Sequence, residues 1–196
     1  MILYRPDGIV NSGGDKMSET NKTPKRIQVL MAASKIVKEL GLEHLTLDAV
    51  AKEAGISKGG LLYHFPTKDA LILGMVQELT NRFSTEVDQK VKEDRKEKGK
   101  WSRAYLEATA NSSNDMNSVL AAVLFTGPSV VEGLHEQYKT WQKNIENDGL
   151  NPVHSTIIRL VADGLWFTDM FGLAPPDDDL KKKIIHELTN WTGEVK

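Results

Sequence analysis

The chain has no cysteine among its 196 residues. Disulfides, thiol catalysis and cysteine-ligated zinc are thereby excluded, and the composition suits a reducing cytoplasm, the expected location. No apolar run approaches the roughly 20 residues that span a bilayer. The first residues lack the basic start and long apolar stretch of a secretory signal, so no membrane partner is expected. Gly-x-Ser-x-Gly, a phosphate-cradling glycine loop and His-Glu-x-x-His are all missing. His135 with Glu132 and Glu136, or His154 with Asp163, are sets that scattered ionisable residues on helices form in most proteins. No catalytic residue, no metal and no cofactor is therefore expected. Strand-like alternation of period two is missing as well, which leaves an all-α fold.

What is there is enough for a core. Hydrophobic residues make up 40% of the chain, and the length suits one small module and one larger helical domain. The net charge of −2 is unevenly placed. Residues 22–68 carry eight Lys/Arg against four Asp/Glu, a local +4, so the rest of the chain carries −6. A basic module on an acidic body attracts phosphate locally without sticking everywhere. A DNA-compacting protein would be basic throughout, and this chain is not.

Residues 1–22 hold Gly8, Gly13 and Gly14 and show no periodicity, so they read as a disordered arm. Met17 resembles an ordinary start, and residues 1–16 then read as an upstream extension or cloning remnant. The alternative is a basic-tipped arm that reaches DNA. About nine helices follow. The first is predicted with Thr23 as cap and Pro24 at its first position, a stripe of Ile27, Leu30, Ala33, Ile36, Val37 and Leu40, and Gly41 as its stop. A fourth helix enters through Pro66-Thr67 and runs into the tract KEDRKEKGK, where Gly99 ends it; the mixed charges of that tract read as solvated surface. Trp101, Tyr105 and Ala108 mark a fifth helix and residues 115–125 a sixth. Gly127-Pro128 precedes a seventh with Val130/Val131, Leu134, Tyr138, Trp141 and Ile145. Asn151 and Pro152 open an eighth and Asp177 to Asp179 a ninth, with Leu180, Ile184, Leu188 and Trp191. The expected division is an arm at 1–22, a small helical unit at 23–68 and a larger helical domain at 69–196.

Residues 45–71, LTLDAVAKEAGISKGGLLYHFPTKDAL, are the most informative stretch. Thr46 caps a helix with Leu47, Val50, Ala51 and Ala54 at helical spacing, Gly55 turns the chain, and Ser57 caps a second helix. Two short helices around a Gly-containing turn form a helix-turn-helix, whose second helix fits a DNA major groove. This segment resembles the DNA-binding signature of the TetR (tetracycline-repressor-like) family of bacterial transcriptional regulators. The resemblance covers Pro24 to about Leu73 and implies a recognition helix over 57–64. Ser57, Lys58, Gly59 and Gly60 would face the groove floor, Thr46 a phosphate, and Tyr63, His64 and Lys68 the backbone. Many family members have Tyr-x-His-Phe, whereas Leu62 stands here at the first Tyr, which shifts that contact to Tyr63.

The resemblance further implies double-stranded operator DNA as partner, a homodimer, and a small-molecule effector that releases a repressor. The competing reading is a helical small-molecule-binding protein or enzyme with no DNA role. Trp101, Tyr105, Met116, Phe125, Tyr138 and Trp141 are candidates to line an effector pocket. The eighth helix is apolar nearly all round, which calls for burial on more than one side. A two-helix contribution from each subunit gives a four-helix interface, with Ile158, Leu165, Trp166, Phe167, Met170, Leu188 and Trp191 as candidates.

Overall fold

A computed structural model describes residues 23–111, 119 and 128–193. Its described helices are α1 (Lys25–Leu40), α2 (Leu47–Glu53), α3 (Lys58–His64), α4 (Lys68–Glu93), α5 (Lys100–Ala110), α6 (Pro128–Glu146), α7 (Pro152–Phe171) and α8 (Asp178–Gly193). A single 3-10 turn, Leu42–His44, joins α1 to α2, and no strand occurs among the described residues. The fold is all-α. The helix expected at 115–125 lies outside the described residues, apart from the helical, buried Val119.

Local chemistry sets most boundaries. Thr46, Ser57 and Thr67 cap α2, α3 and α4, each hydroxyl accepting a backbone N–H from Ala49, Gly60 and Ala70 at 3.1, 3.1 and 3.0 Å. Asn151 does the same for α7, accepting from Val153 N at 2.9 Å. Gly41, with φ +93°, ends α1, and Gly172, with φ +63°, ends α7. Two boundaries differ from expectation. Pro24 caps α1 from outside, its carbonyl accepting from Gln28 N, so Lys25 and not Pro24 is the first helical residue. α4 stops at Glu93, because Asp94 leaves in an extended conformation and Gly99 instead opens α5 with φ +76°.

Two apolar cores share α4. Its first half, with Leu71, Ile72, Met75 and Val76, joins α1, α2 and α3 around Val29, Ala33, Leu45, Val50 and Leu61. Its second half, from Val87, packs with α5, α6, α7 and α8 around Leu106, Trp141, Ile145, Ile158 and Leu188. The α1 stripe holds at Ile27, Leu30, Ala33, Ile36 and Val37 but is wider than expected, with Val29 and Ala32 buried as well, and Leu40 is exposed. Val131 and Leu180, expected inward, also face out.

The tract 94–99 is not plain solvated surface. It wraps Arg103, which is buried and donates from Nε to Asp94 at 2.7 Å and from its other nitrogens to the Lys96 and Lys98 carbonyls and Thr192 Oγ1, each at 3.0 Å. Burial pushes the Asp94 carboxyl up, but the Arg103 hydrogen bond, the Lys96 N–H and the guanidinium charge hold it below its ordinary value. Beside it, buried Asp148 accepts from the Ser102 N–H at 3.0 Å and hydroxyl at 2.7 Å, which closes the first turn of α5.

Within the first core, Phe65 joins α3 to α4. Its ring is buried, with the Arg26 guanidinium 5.3 Å from the centroid, and it rests on the bare backbone of Gly74. A Cβ on Gly74 would stand 2.5 Å from Phe65 Cε1. In an open helix Gly→Ala stabilises by about 1 kcal/mol. Here overpacking reverses the sign, and Gly74→Ala is expected to destabilise by about 1–3 kcal/mol in urea unfolding. A neutral or stabilising substitution would show that the ring does not depend on the notch.

Candidate nucleic-acid interface

The turn between α2 and α3 is built from main-chain bonds. Ile56 N donates to the Ala51 carbonyl at 3.0 Å and Gly55, at φ +65°, reverses the chain. Gln28 braces it from α1, donating to the Ala54 carbonyl at 2.7 Å. Leu61 is buried and fixes which face of α3 looks outward: Ser57, Lys58, Gly59, Leu62 and Tyr63 are exposed and His64 is half-buried. Thr46 and Ser57 accept as caps, so each keeps its O–H to donate to an anion.

Lys58, the single Lys/Arg of α3, is paired: its ammonium lies 2.9 and 3.0 Å from the two carboxylate oxygens of Asp48 on α2. Nothing lies within 4 Å of a Cβ built on Gly59, whereas one on Gly60 would meet Ser57 Oγ at 3.2 Å. Tyr63 is 85% exposed, its ring edge-on to His64 with centroids 5.1 Å apart. Lys68 reaches back to the Leu42 carbonyl at 3.4 Å, so its ammonium braces the α1–α2 connection as well as facing outward. The eight residues singled out in the sequence thus lie within the α2–α3 unit or at the entry to α4. Asp48 was not among them, because a carboxylate beside a cation is a contact between helices that spacing along one helix does not signal.

Four of the six pocket candidates lie among the described residues, and three of them, Tyr105, Tyr138 and Trp141, pack together with Phe83. Tyr105 and Trp141 are buried, and Phe83, Tyr105, Tyr138 and Trp141 meet edge-on with centroids 5.0 to 5.7 Å apart. Trp101 is half-buried at the rim of the same core, and Met116 and Phe125 lie outside the described residues. An open cavity of about 580 Å³ lies elsewhere, between α1 and α4, floored by Leu30, Met75, Leu79 and Phe83 and rimmed by Lys35 and Glu78. Above the aromatic cluster sits a polar network that single-helix patterns did not signal. Tyr105 donates to Asp163 at 2.6 Å, Arg159 donates to the other Asp163 oxygen at 2.7 Å, and Arg159 also donates to Gln142. Asp163 is therefore engaged with Tyr105 and Arg159, while His154 stacks near Trp191 instead. Among the described residues no three His, Asp or Glu gather where a metal ion would fit.

The candidate interface residues divide. Ile158 and Leu188 are buried within the subunit, because α7 turns that side onto α5 and α8. Trp166 and Met170 pack against the N-terminal core, Leu165 is half-buried, and Trp191 packs on the second core. Phe167 remains on the outside with Val153 and Leu160, which are 42%, 63% and 54% exposed. Together with Ile157, Gly164 and Phe171 these residues recur at alternating steps of four and three, the spacing of a helix-pairing seam.

Residues 29–75 match the family model for bacterial regulatory proteins of the tetR family, and residues 99–193 match that for the tetracyclin repressor-like C-terminal domain. An HTH-type transcriptional repressor of Mycobacterium tuberculosis is 32% identical over 69 residues, 35% of this chain and 37% of that protein. The chain matches 37% of the length of each of the first two curated relatives, so the likeness lies in one part of them. Two solved structures share the fold across nearly their whole length. A TetR family member from Streptomyces coelicolor has a TM-score of 0.64 at 18% identity, covering 85% of this chain and 98% of that one. The multidrug binding protein EbrR, complexed with malachite green, has a TM-score of 0.60 at 19% identity, covering 83% and 96%.

The buried phenols make the body sensitive to alkali. Burial and the Asp163 charge push Tyr138 up to about 12, against the opposing hydrogen bond to Tyr105 and the Arg159 charge. Burial raises Tyr105 as well. A raised folded value means that the stability is fully present below the ordinary tyrosine value and is lost as pH climbs through the folded one. Urea unfolding is expected to show stability falling between about pH 10 and pH 12, by up to about 2–3 kcal/mol for Tyr138. Tyr138→Phe should flatten that fall. An identical alkaline slope in the variant would show that the phenol ionises freely in the native state.

Proposed function

Since the chain belongs to the TetR family of bacterial regulatory proteins, we propose that it is a sequence-specific DNA-binding transcriptional regulator, a repressor that a small molecule releases from its operator. The observation that carries this reading is the outward face of the α2–α3 unit: exposed, built on a capped helix-turn-helix, and set in the basic part of an acidic chain. α3 enters the major groove with Ser57, Lys58, Gly59 and Gly60 foremost, and the Thr46 hydroxyl, Tyr63, His64 and Lys68 meet phosphates. Leu62 supplies no such donor. The alternative of an enzyme has no metal-holding cluster among the described residues in its favour. Among the described residues no helix is long and apolar enough to cross a membrane, and the site of action proposed is the cytoplasm.

The unit acts as a homodimer, because a two-fold protein places two reading helices on two half-sites about one helical turn apart, roughly 34 Å. The seam on α7 supports this: Val153, Leu160 and Phe167 form an apolar row with Gly164 between them, where a second helix approaches closely. The effector belongs in the helical body, a reading supported by the EbrR fold and by the aromatic cluster with its polar network. Its entry requires the cluster to open, since Tyr105 and Trp141 are closed in the structure described.

Purified full-length protein is expected to retain a subset of genomic duplex fragments, with retention falling steeply as salt rises through release of phosphate counterions. Leu160→Asp places a carboxylate in the seam without touching the subunit core. The variant is expected to keep its helical circular dichroism, sediment as a monomer and lose operator affinity by tenfold or more, because the two half-sites no longer act together (estimate of order). A folded wild type that retains no duplex at low salt would overturn the DNA reading. A Leu160→Asp protein that stays dimeric would move the interface elsewhere.

A further inference from the structure

We propose that Asp48 and Lys58 act as one reading unit that recognises a G·C base pair in the major groove; the proposal rests on the DNA-binding reading above. Hydrogen-bonding side chains are scarce in the first turn of α3. Ser57, as the cap, has only its single O–H left to donate, Gly59 and Gly60 have no side chain, and Leu61 is buried. Direct readout from that turn falls to Lys58, and Lys58 is not alone.

The ammonium of Lys58 straddles both oxygens of Asp48 at 2.9 and 3.0 Å, with side chains 58% and 71% exposed. A pair so exposed adds little to stability. Its consequence is directional: it presents a cationic donor and an anionic acceptor side by side at the leading end of the recognition helix. One G·C pair displays the complement, two acceptors on guanine (O6 and N7) beside one donor on cytosine (N4). With two of its three N–H donors turned to Asp48, the ammonium keeps one for guanine O6 or N7, and the carboxylate keeps acceptor positions for cytosine N4. On an A·T pair the carboxylate meets adenine N6, but the ammonium finds isolated acceptors and the thymine methyl crowds the approach. A role on phosphate alone does not account for Asp48, since a carboxylate on the DNA face is repelled by the backbone unless a base donor satisfies it.

The test is enrichment from a randomised duplex pool with full-length wild type, Asp48→Ala, Asp48→Asn and Lys58→Met, each checked by circular dichroism. The wild-type half-site is expected to hold one fixed G·C pair. Asp48→Ala and Lys58→Met should each weaken preference at that same pair by about tenfold and leave the other positions unchanged. Asp48→Asn, which keeps one acceptor oxygen, should retain part of the preference. If Asp48→Ala gives the wild-type motif with a uniform gain in affinity, the carboxylate only repels phosphate and the proposal fails. It fails equally if the two variants alter different positions. A wild type that enriches no motif would sink the DNA reading itself, which separates that failure from the failure of the pair.

Discussion

The seat of Phe65 on Gly74 is the constraint on which the arrangement of the molecule depends. Phe65 is the residue that ends α3, and Gly74 lies two turns into α4, so one contact fixes the reading helix against the helix that runs into the body. α1 closes on the same place, with the Arg26 guanidinium 5.3 Å from the ring centroid and Leu30 beside the Gly74 notch. Because close-packed side chains do not deform continuously, α3 follows α4 when α4 moves. The small head could scarcely be held otherwise. α2 and α3 have seven residues each, too short to be stable alone, and they exist because they pack on α1 and α4.

Sequence and structure agree at most boundaries where the physics is local, the one-residue shift at the start of α1 apart. The caps at Thr46, Ser57, Thr67 and Asn151 and the stops at Gly41, Gly55 and Gly172 each depend on residues within three or four positions, and spacing alone carries that information. The end of α4 was not legible for the opposite reason. Asp94 breaks from the helix to meet Arg103, and the acidic and basic residues of that tract look alike until the fold selects which of them pair. Buried polar partners far apart in the chain escaped in the same way: Asp148 with Ser102, and Tyr105 with Asp163. The eight residues named for DNA contact lie where the motif puts them, yet Asp48 was silent, since its meaning comes only from Lys58 across the turn.

α7 shows how far composition goes and where it stops. Apolar residues nearly all round the helix call correctly for more than one buried side, but composition does not say which residue serves which side. Ile158 and Ala162 are spent on the subunit's own core, and Trp166 and Met170 reach the N-terminal core instead. What is left outward is the row through Val153, Leu160 and Phe167, a narrower set than the sequence suggested and partly a different one. The four-three spacing of that row was present in the sequence all along. It was hidden because the inward stripe has helical spacing too.

In the proposed dimer, α4 would couple the reading head to the helical body, and α7, which reaches the N-terminal core through Trp166 and Met170, would carry the seam. α4 contributes to both cores: its first half holds α3 through Phe65, and its second half lies against α5 and α6, beside the cluster of Phe83, Tyr105 and Trp141. Phe83 is itself an α4 residue, so a ligand that parts the cluster must displace α4 or its partners. In the function proposed above, displacement of α4 would carry α3 with it, and in a dimer joined along α7 this would alter the separation of two reading helices. Since DNA holds that separation near a fixed value, ligand and operator then favour different placements of the same helix. Linkage makes the opposition mutual: whatever free energy the ligand takes from operator binding, the operator takes from ligand binding.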